Sequence, residues 1–169
     1  YVVPFGALQT AIAEVCRPEY RTLFFRQAMI LAGNRLAQQV GAEALVTGDS
    51  LGQVSSQTMS NMAFLDRGSE RMIMRPLIGT NKNEILGLAQ EIGTYPISVL
   101  PQDDACALFA AKHPVLRPDP EYVQAFQAEV DLGALANAAV DAAEVLIITA
   151  RGESRRLPPE QRPFQVADS

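Results

Sequence analysis

Cysteine and histidine are scarce in this 169-residue chain: Cys16, Cys106 and His113 are all it contains. Two cysteines cannot staple a disulfide scaffold, and one histidine with two distant thiols gives no metal-ligand spacing. No apolar run reaches membrane-spanning length, because each is broken by charge or proline. The opening Tyr-Val-Val-Pro-Phe has no basic segment and no cleavage site, so it is not read as a signal peptide. Basic charge is short as well: 14 Lys and Arg against 19 Asp and Glu leave a net charge of −5. A protein that holds RNA by itself usually carries a basic stripe. The one local cluster here, Arg151-Gly-Glu-Ser-Arg-Arg156, fits a solvated tail better. Internal repeats and low-complexity segments are missing. What is present is a hydrophobic content of 48%, enough for one domain with its own core. Together these features predict a globular protein of a reducing, cytoplasmic compartment, without a membrane segment.

Hydrophobic spacing predicts the elements. Residues 2–5 read as a short strand that begins abruptly, as in a piece of a longer polypeptide. Residues 19–40 read as a long helix, with Phe25, Met29, Ala32 and Leu36 on one stripe and Gly41 as its stop. A short strand at 44–46 follows, then a helix over 51–65 with a polar first half. The next strand spans 72–78, with Pro76 at its end or on an edge. Asn81-Lys-Asn-Glu84 has the form of a capping box, leading a helix with Ile85, Leu88, Ala89 and Ile92 on its apolar face. Residues 94–118 hold four prolines and read as irregular; 120–130 and 132–143 are helices, and 145–148 is a last strand. Short apolar strands alternating with helices predict an α/β fold, a doubly wound parallel sheet covered by helices on both faces. Residues 1–150 make up this domain, and 151–169 form a polar, Pro-rich tail, loose or wrapped on the surface.

One stretch stands out: Ala44-Leu-Val-Thr-Gly-Asp-Ser-Leu-Gly-Gln-Val-Ser-Ser-Gln-Thr58. A buried strand stops at Thr47-Gly48, and small and amide residues follow. Such a turn brings backbone N–H groups close to an anion. Gly48 would allow that approach, while Asp49 or Ser50 could cap the next helix or touch a ligand hydroxyl. An ordinary strand–helix turn would use the same residues. Gln53 and Gln57, one helical turn apart, would share a face and could read a base edge or a phosphate oxygen. The lack of charge over Gly52-Gln-Val-Ser-Ser-Gln-Thr58 favours a ligand over simple solubility. Arg26 lies off the apolar stripe; it could reach a triphosphate, although spacing alone suits a solvated charge better. Cys106, flanked by Asp103 and Asp104, reads as partly exposed, Cys16 as inert, and His113 as a structural hydrogen-bonding residue.

These blocks resemble the tRNA 4-thiouridine synthases, sulfurtransferases that also serve thiazole synthesis in thiamine biosynthesis. The resemblance rests on Val-Pro-Phe at 3–5, the Arg26 helix and Leu-Val-Thr-Gly-Asp-Ser-Leu-Gly-Gln-Val-Ser-Ser-Gln-Thr at 45–58. It continues through Arg-Pro-Leu-Ile-Gly at 75–79, Asn-Lys-Asn-Glu-Ile at 81–85, Ile-Gly-Thr-Tyr at 92–95, Cys-Ala-Leu-Phe at 106–109 and Lys-His-Pro-Val-Leu-Arg-Pro at 112–118. It implies the ATP-pyrophosphatase (PP-loop) fold, similar to the adenine nucleotide alpha hydrolases. It also implies adenylation of the O4 carbonyl of uridine 8 in tRNA by ATP with Mg²⁺, and displacement of AMP by persulfide sulfur. Arg26, Gly48 and Gln57 then become ATP-binding residues, with Thr47, Asp49 and Ser50 beside them in the turn. Cys106 becomes the catalytic cysteine that helps release sulfur. The implied partners are tRNA, a cysteine desulfurase and a sulfur-carrier protein; a homodimer stays open.

The chain departs from that pattern in several ways. The Ser-Gly-Gly-x-Asp-Ser phosphate loop and the tRNA-holding region that precede Val-Pro-Phe in the family are not in this sequence. No rhodanese-like extension follows. Asp49 stands where Glu is usual, and Ala105 where a second Cys is common. The resemblance therefore implies the later part of a catalytic domain, inactive in isolation. The alternative is a non-catalytic module that docks a sulfur-carrier or desulfurase partner.

Overall fold

The longest apolar stripe organises the molecule. The structure, a computed structural model, describes residues 1–101, 109 and 111–158. Helix α1 (Gly6–Val15) leads through a 3-10 turn at Pro18–Tyr20 into α2 (Arg21–Val40). At 20 residues, α2 is about 30 Å long. It ends where Gly41 turns left-handed at φ 70°, as its position after the last apolar residue predicts. Leu23, Phe24, Phe25, Ala28 and Ala32 of α2 are buried. Helices α6 (Pro120–Glu129) and α7 (Leu132–Asp141) close over them. The Phe24 ring stacks on Phe126 at 3.9 Å and meets Phe64 edge-on at 6.2 Å. Burying a side chain of this size stabilises by about 1.5–3 kcal/mol, so this aromatic group anchors the helical layer.

Strand β1 (Ala44–Val46) runs parallel to β2 (Met72–Met74), with Val46 opposite Met74. This is the parallel pairing expected of short apolar strands joined through a helix, here α3 (Met59–Arg67). Leu45 faces α2 at Gly33, where a Cβ would lie 3.3 Å from Leu45 Cδ1. The opposite face carries Val46 and Met72, which are 69% and 73% exposed. Among the described residues, helical cover therefore lies on one face of this pair.

Three local expectations change. Residues 2–5 supply a single bridge, Val2 to Glu144, because α1 already begins at Gly6 and draws Phe5 into its first hydrogen bond. The helix expected over 51–65 starts only at Met59. Gly52 turns left-handed at φ 74°, and Thr58 caps the helix by accepting from the Asn61 N–H at 3.2 Å. Gln53 and Gln57 therefore share no helical face. The strand expected over 72–78 stops at Met74, ahead of Arg75-Pro76.

The capping box forms as the sequence predicts. Asn81 accepts from the Glu84 N–H, and Glu84 accepts from the Asn81 N–H, opening α4 (Lys82–Glu91). Its expected apolar face stays largely uncovered, with Ile92 63% exposed beyond the helix end and a short α5 (Tyr95–Ser98) following. The last expected strand, β3 (Val145–Ile148), pairs antiparallel with β4 (Ser154–Leu157). The first part of the tail is thus ordered. Gly152 turns the chain at φ 78°, Leu157 is buried, and Arg156 reaches Glu144 at 2.9 Å. Ser-Arg-Arg-Leu carries little strand propensity, so its pairing with β3 is a tertiary effect. No helix among the described residues is long and apolar enough to cross a membrane.

Candidate functional site

The parallel register decides which side chains meet. Val46 lies beside Met74, so the next residues, Thr47 and Arg75, leave the sheet together at its C-terminal end. The Thr47 N–H still donates to the Met74 carbonyl at 3.0 Å. Beyond it the chain turns away. Among the described residues, the backbone N–H groups of Gly48, Asp49 and Ser50 donate to no protein group. Three successive unpaired donors at the end of a parallel strand are a place for an anion or another acceptor.

Asp49 is the hub of the side chains. Its Oδ1 accepts from Arg26 Nη2 at 2.5 Å and from Gln57 Nε2 at 3.4 Å. Its Oδ2 accepts from Thr47 Oγ1 at 2.9 Å and from Arg75 Nε at 3.2 Å. Arg26 also donates to the Ser56 carbonyl at 2.6 Å, and Arg75 to Asp66 Oδ1 at 2.7 Å. The side chains of Arg26, Asp49 and Arg75 are only 16%, 9% and 10% exposed. In such surroundings, removing one partner costs far more than a surface pair is worth. Arg26 is thus not the solvated charge that its spacing alone suggested; it is clamped across the turn.

The structure brings together Arg26, Thr47, Asp49 and Gln57, with Gly48 between them. Ser50 points elsewhere: its Oγ donates to the Thr80 carbonyl at 2.7 Å. Neither Asp49 nor Ser50 caps a helix, a role that falls to Thr58. Gly48 has no positive φ, so turn geometry does not require glycine there. A Cβ on Gly48 would meet nothing within 4 Å, so protein packing does not require it either. Gln57 Oε1 is buried and has no partner in the protein. Arg75 is the residue that sequence reasoning missed. Its signal was position, immediately before Pro76 at the end of a strand expected to lie in the same sheet.

Cys106 lies outside the described residues, as do Asp103, Asp104 and Ala105. Cys16 is buried, and burial pushes its thiol up to about 11, so it is inert as expected. His113 is exposed and makes no hydrogen bond among the described residues, where a structural hydrogen bond was expected. Among the described residues no group of three His, Cys, Asp or Glu side chains could hold a metal ion.

A parallel pair joined through a helix and packed against α2 makes this an α/β fold. The family model described as thiamine biosynthesis protein (ThiI) matches residues 1–132. The chain belongs to that family. It is 41% identical over 149 residues to a probable tRNA sulfurtransferase of Acetivibrio thermocellus, covering 88% of this chain and 38% of that protein. It is 40% identical over 160 residues to a probable tRNA sulfurtransferase of Thermus thermophilus, covering 95% of this chain and 39% of that protein. A crystal structure of a 4-thiouridine synthetase–RNA complex with bound ATP superposes with a TM-score of 0.77 at 31% identity, over 92% of this chain and 38% of that one. The fold is therefore that of the PP-loop synthetases. The chain spans about 38% of the length of these relatives.

Proposed function

We propose that this chain is the ATP-facing part of a tRNA sulfurtransferase that makes 4-thiouridine. The observation that carries this reading is the set of unpaired N–H groups at Gly48, Asp49 and Ser50, held by the Arg26–Asp49–Arg75 clamp. Gly48 leaves its face open for close approach, and the three amides suit the acceptor atoms of a nucleotide. Gln57 Oε1, buried without a partner, suits a ligand donor such as an exocyclic amine. In this arrangement Asp49 orients: it fixes the Arg26 guanidinium and the Gln57 amide against the turn. Thr47 and Ser50 shape the turn through their own hydrogen bonds.

In the proposed reaction the O4 of uridine 8 in tRNA attacks the α-phosphorus of ATP and pyrophosphate leaves. Persulfide sulfur then bonds to C4, and AMP departs with the oxygen. The sulfur is delivered on the cysteine of a desulfurase-supplied persulfide or, for thiazole synthesis, passed to a sulfur-carrier protein; Cys106 would release it by attacking the donor cysteine's sulfur, breaking the S–S bond and forming a Cys106–donor disulfide that an external thiol reductant reopens. Mg²⁺ would enter only as the counter-ion of the ATP phosphates. Asp49 is committed to two guanidinium groups and offers it no ligand.

The chain alone is expected to bind ATP weakly, with Kd of about 1 mM, and not to thiolate tRNA. Calorimetric titration with ATP tests the turn. Gly48→Ala should weaken binding by at least about tenfold. Its melting temperature should stay at the wild-type value, because the added methyl group meets no protein atom. Equal ATP affinity in the two proteins would remove the nucleotide from this turn. Thiouridine formed by the chain alone would overturn the partial-site reading.

A further inference from the structure

A well-formed cavity lies away from the turn. Its volume is about 590 Å³, within the range of about 300–1,000 Å³ usual for small-molecule sites. It opens where α2, α3 and α6 meet, and no residue of the 47–50 turn lines it. Arg67, in the last turn of α3, and Arg117, before α6, stand on its rim. Among the described residues, neither guanidinium has an ion pair or a hydrogen bond. No acidic side chain is among the described lining residues. The neighbouring Asp119 is turned to cap α6, accepting from the Glu121 N–H at 3.1 Å. In a chain of net charge −5, two unpaired arginines over a cavity free of carboxylates mark a local positive field.

The interior adds an independent sign. Gln27 on α2 is 6% exposed and lines the cavity. Its Oε1 accepts from Gln127 Nε2 at 3.3 Å, which fixes the amide orientation, while its own Nε2 donates to no group among the described residues. Gly68 leaves room for that amide: a Cβ there would stand 3.2 Å from Gln27 Nε2. A donor fixed in orientation at the cavity wall is free to meet a ligand acceptor. Beside it, Phe64 and Val123 give an apolar wall suited to a flat ring.

We infer that this cavity is a second nucleotide site, separate from the turn, which takes one phosphate-bearing nucleotide with its phosphate between Arg67 and Arg117. Guanidinium forks match phosphate oxygens in shape and charge. The Gln27 amide would donate to an acceptor on the sugar or base, and the ring would lie against Phe64. The nucleotide could be free or one unit of an RNA strand, since the phosphate chemistry is the same.

Amide NMR titration of the full chain separates the possibilities, with AMP and a single-stranded RNA hexamer as probes. Shifts of the Gly68 N–H and the Gln27 side-chain NH₂ report the cavity, and shifts of Gly48, Asp49 and Ser50 report the turn. Either probe should move the cavity signals in a saturable way. Tighter binding of the hexamer assigns the site to RNA, and tighter binding of AMP assigns it to a free nucleotide. The double substitution Arg67→Gln, Arg117→Gln should weaken the cavity response by at least about tenfold. Arg155→Gln, a charge loss on β4, should leave it unchanged. Cavity signals that move with neither probe overturn the inference, as does a response that survives the double substitution. A response at the cavity without one at the turn would sink the proposed function and leave this site standing.

Discussion

Replacing Asp49 by Asn tests how much the turn depends on its hub. The substitution keeps the shape and removes the charge. Arg26 and Arg75, 16% and 10% exposed, would then face each other across an amide. Breaking a buried ion pair from one side typically costs about 3–5 kcal/mol. Two contacts moderate that here: Arg26 keeps the Ser56 carbonyl, and Arg75 keeps Asp66, which is half exposed. About 2–3 kcal/mol is the resulting expectation. For a domain of this size, each kcal/mol lowers the melting temperature by about 2–4 °C, so Asp49→Asn should melt about 5–10 °C below wild type. Circular dichroism melts at pH 7 in 0.15 M salt would measure it. A double-mutant cycle with Arg26→Met should show a coupling of about 1–2 kcal/mol, because the apolar partner no longer leaves a stranded charge. High salt should rescue little, since the pair is shielded from mobile ions. A melting temperature within about 1 °C of wild type would refute the reasoning and return Asp49 to an ordinary turn residue.

Two further outcomes follow from other contacts. Thr58→Ala removes the cap of α3 and the hydrogen bond to the Leu116 carbonyl at 2.7 Å, and should cost about 1–2 kcal/mol in urea unfolding with an unchanged slope; a loss under about 0.3 kcal/mol would contradict the capping role. Cys16 should make stability fall with rising pH. Its thiol is protonated in the fold up to about 11 and releases its proton near 9.0 when unfolded, so the unfolded state gains over that window. Wild type should lose up to about 2 kcal/mol more than Cys16→Ala between those pH values, and parallel stability profiles would count against it.

The helical layer was legible because periodicity and stop signals agreed. Phe25, Ala32 and Gly41 place α2 within two residues, and Asn81 with Glu84 marks the start of α4. The helix expected over 51–65 forms only from Met59 onward, and its polar first half, made of poor helix formers, is the part that stays non-helical. Gly52 at positive φ and the Thr58 cap break it, and both effects are local enough to be visible in hindsight. The gathering of Arg26, Asp49 and Gln57 was foreseen by family resemblance; composition and spacing alone left Arg26 in solvent. Arg75 and the pairing of β4 were not readable. Each depends on strand register, which sets neighbours far apart in sequence.

The one-sided cover of β1 and β2 bears on how the protein breathes. Amide hydrogen exchange tracks local opening, and opening is easiest where few apolar groups are buried. Protons on α2, whose Leu23, Phe24, Phe25, Ala28 and Ala32 are buried, should be the last to be replaced by deuterium. Those of Leu45 and Ile73 should exchange earlier, and the loop that follows Val46 earlier still. A ligand that grips the turn would then register as slowed deuterium uptake there.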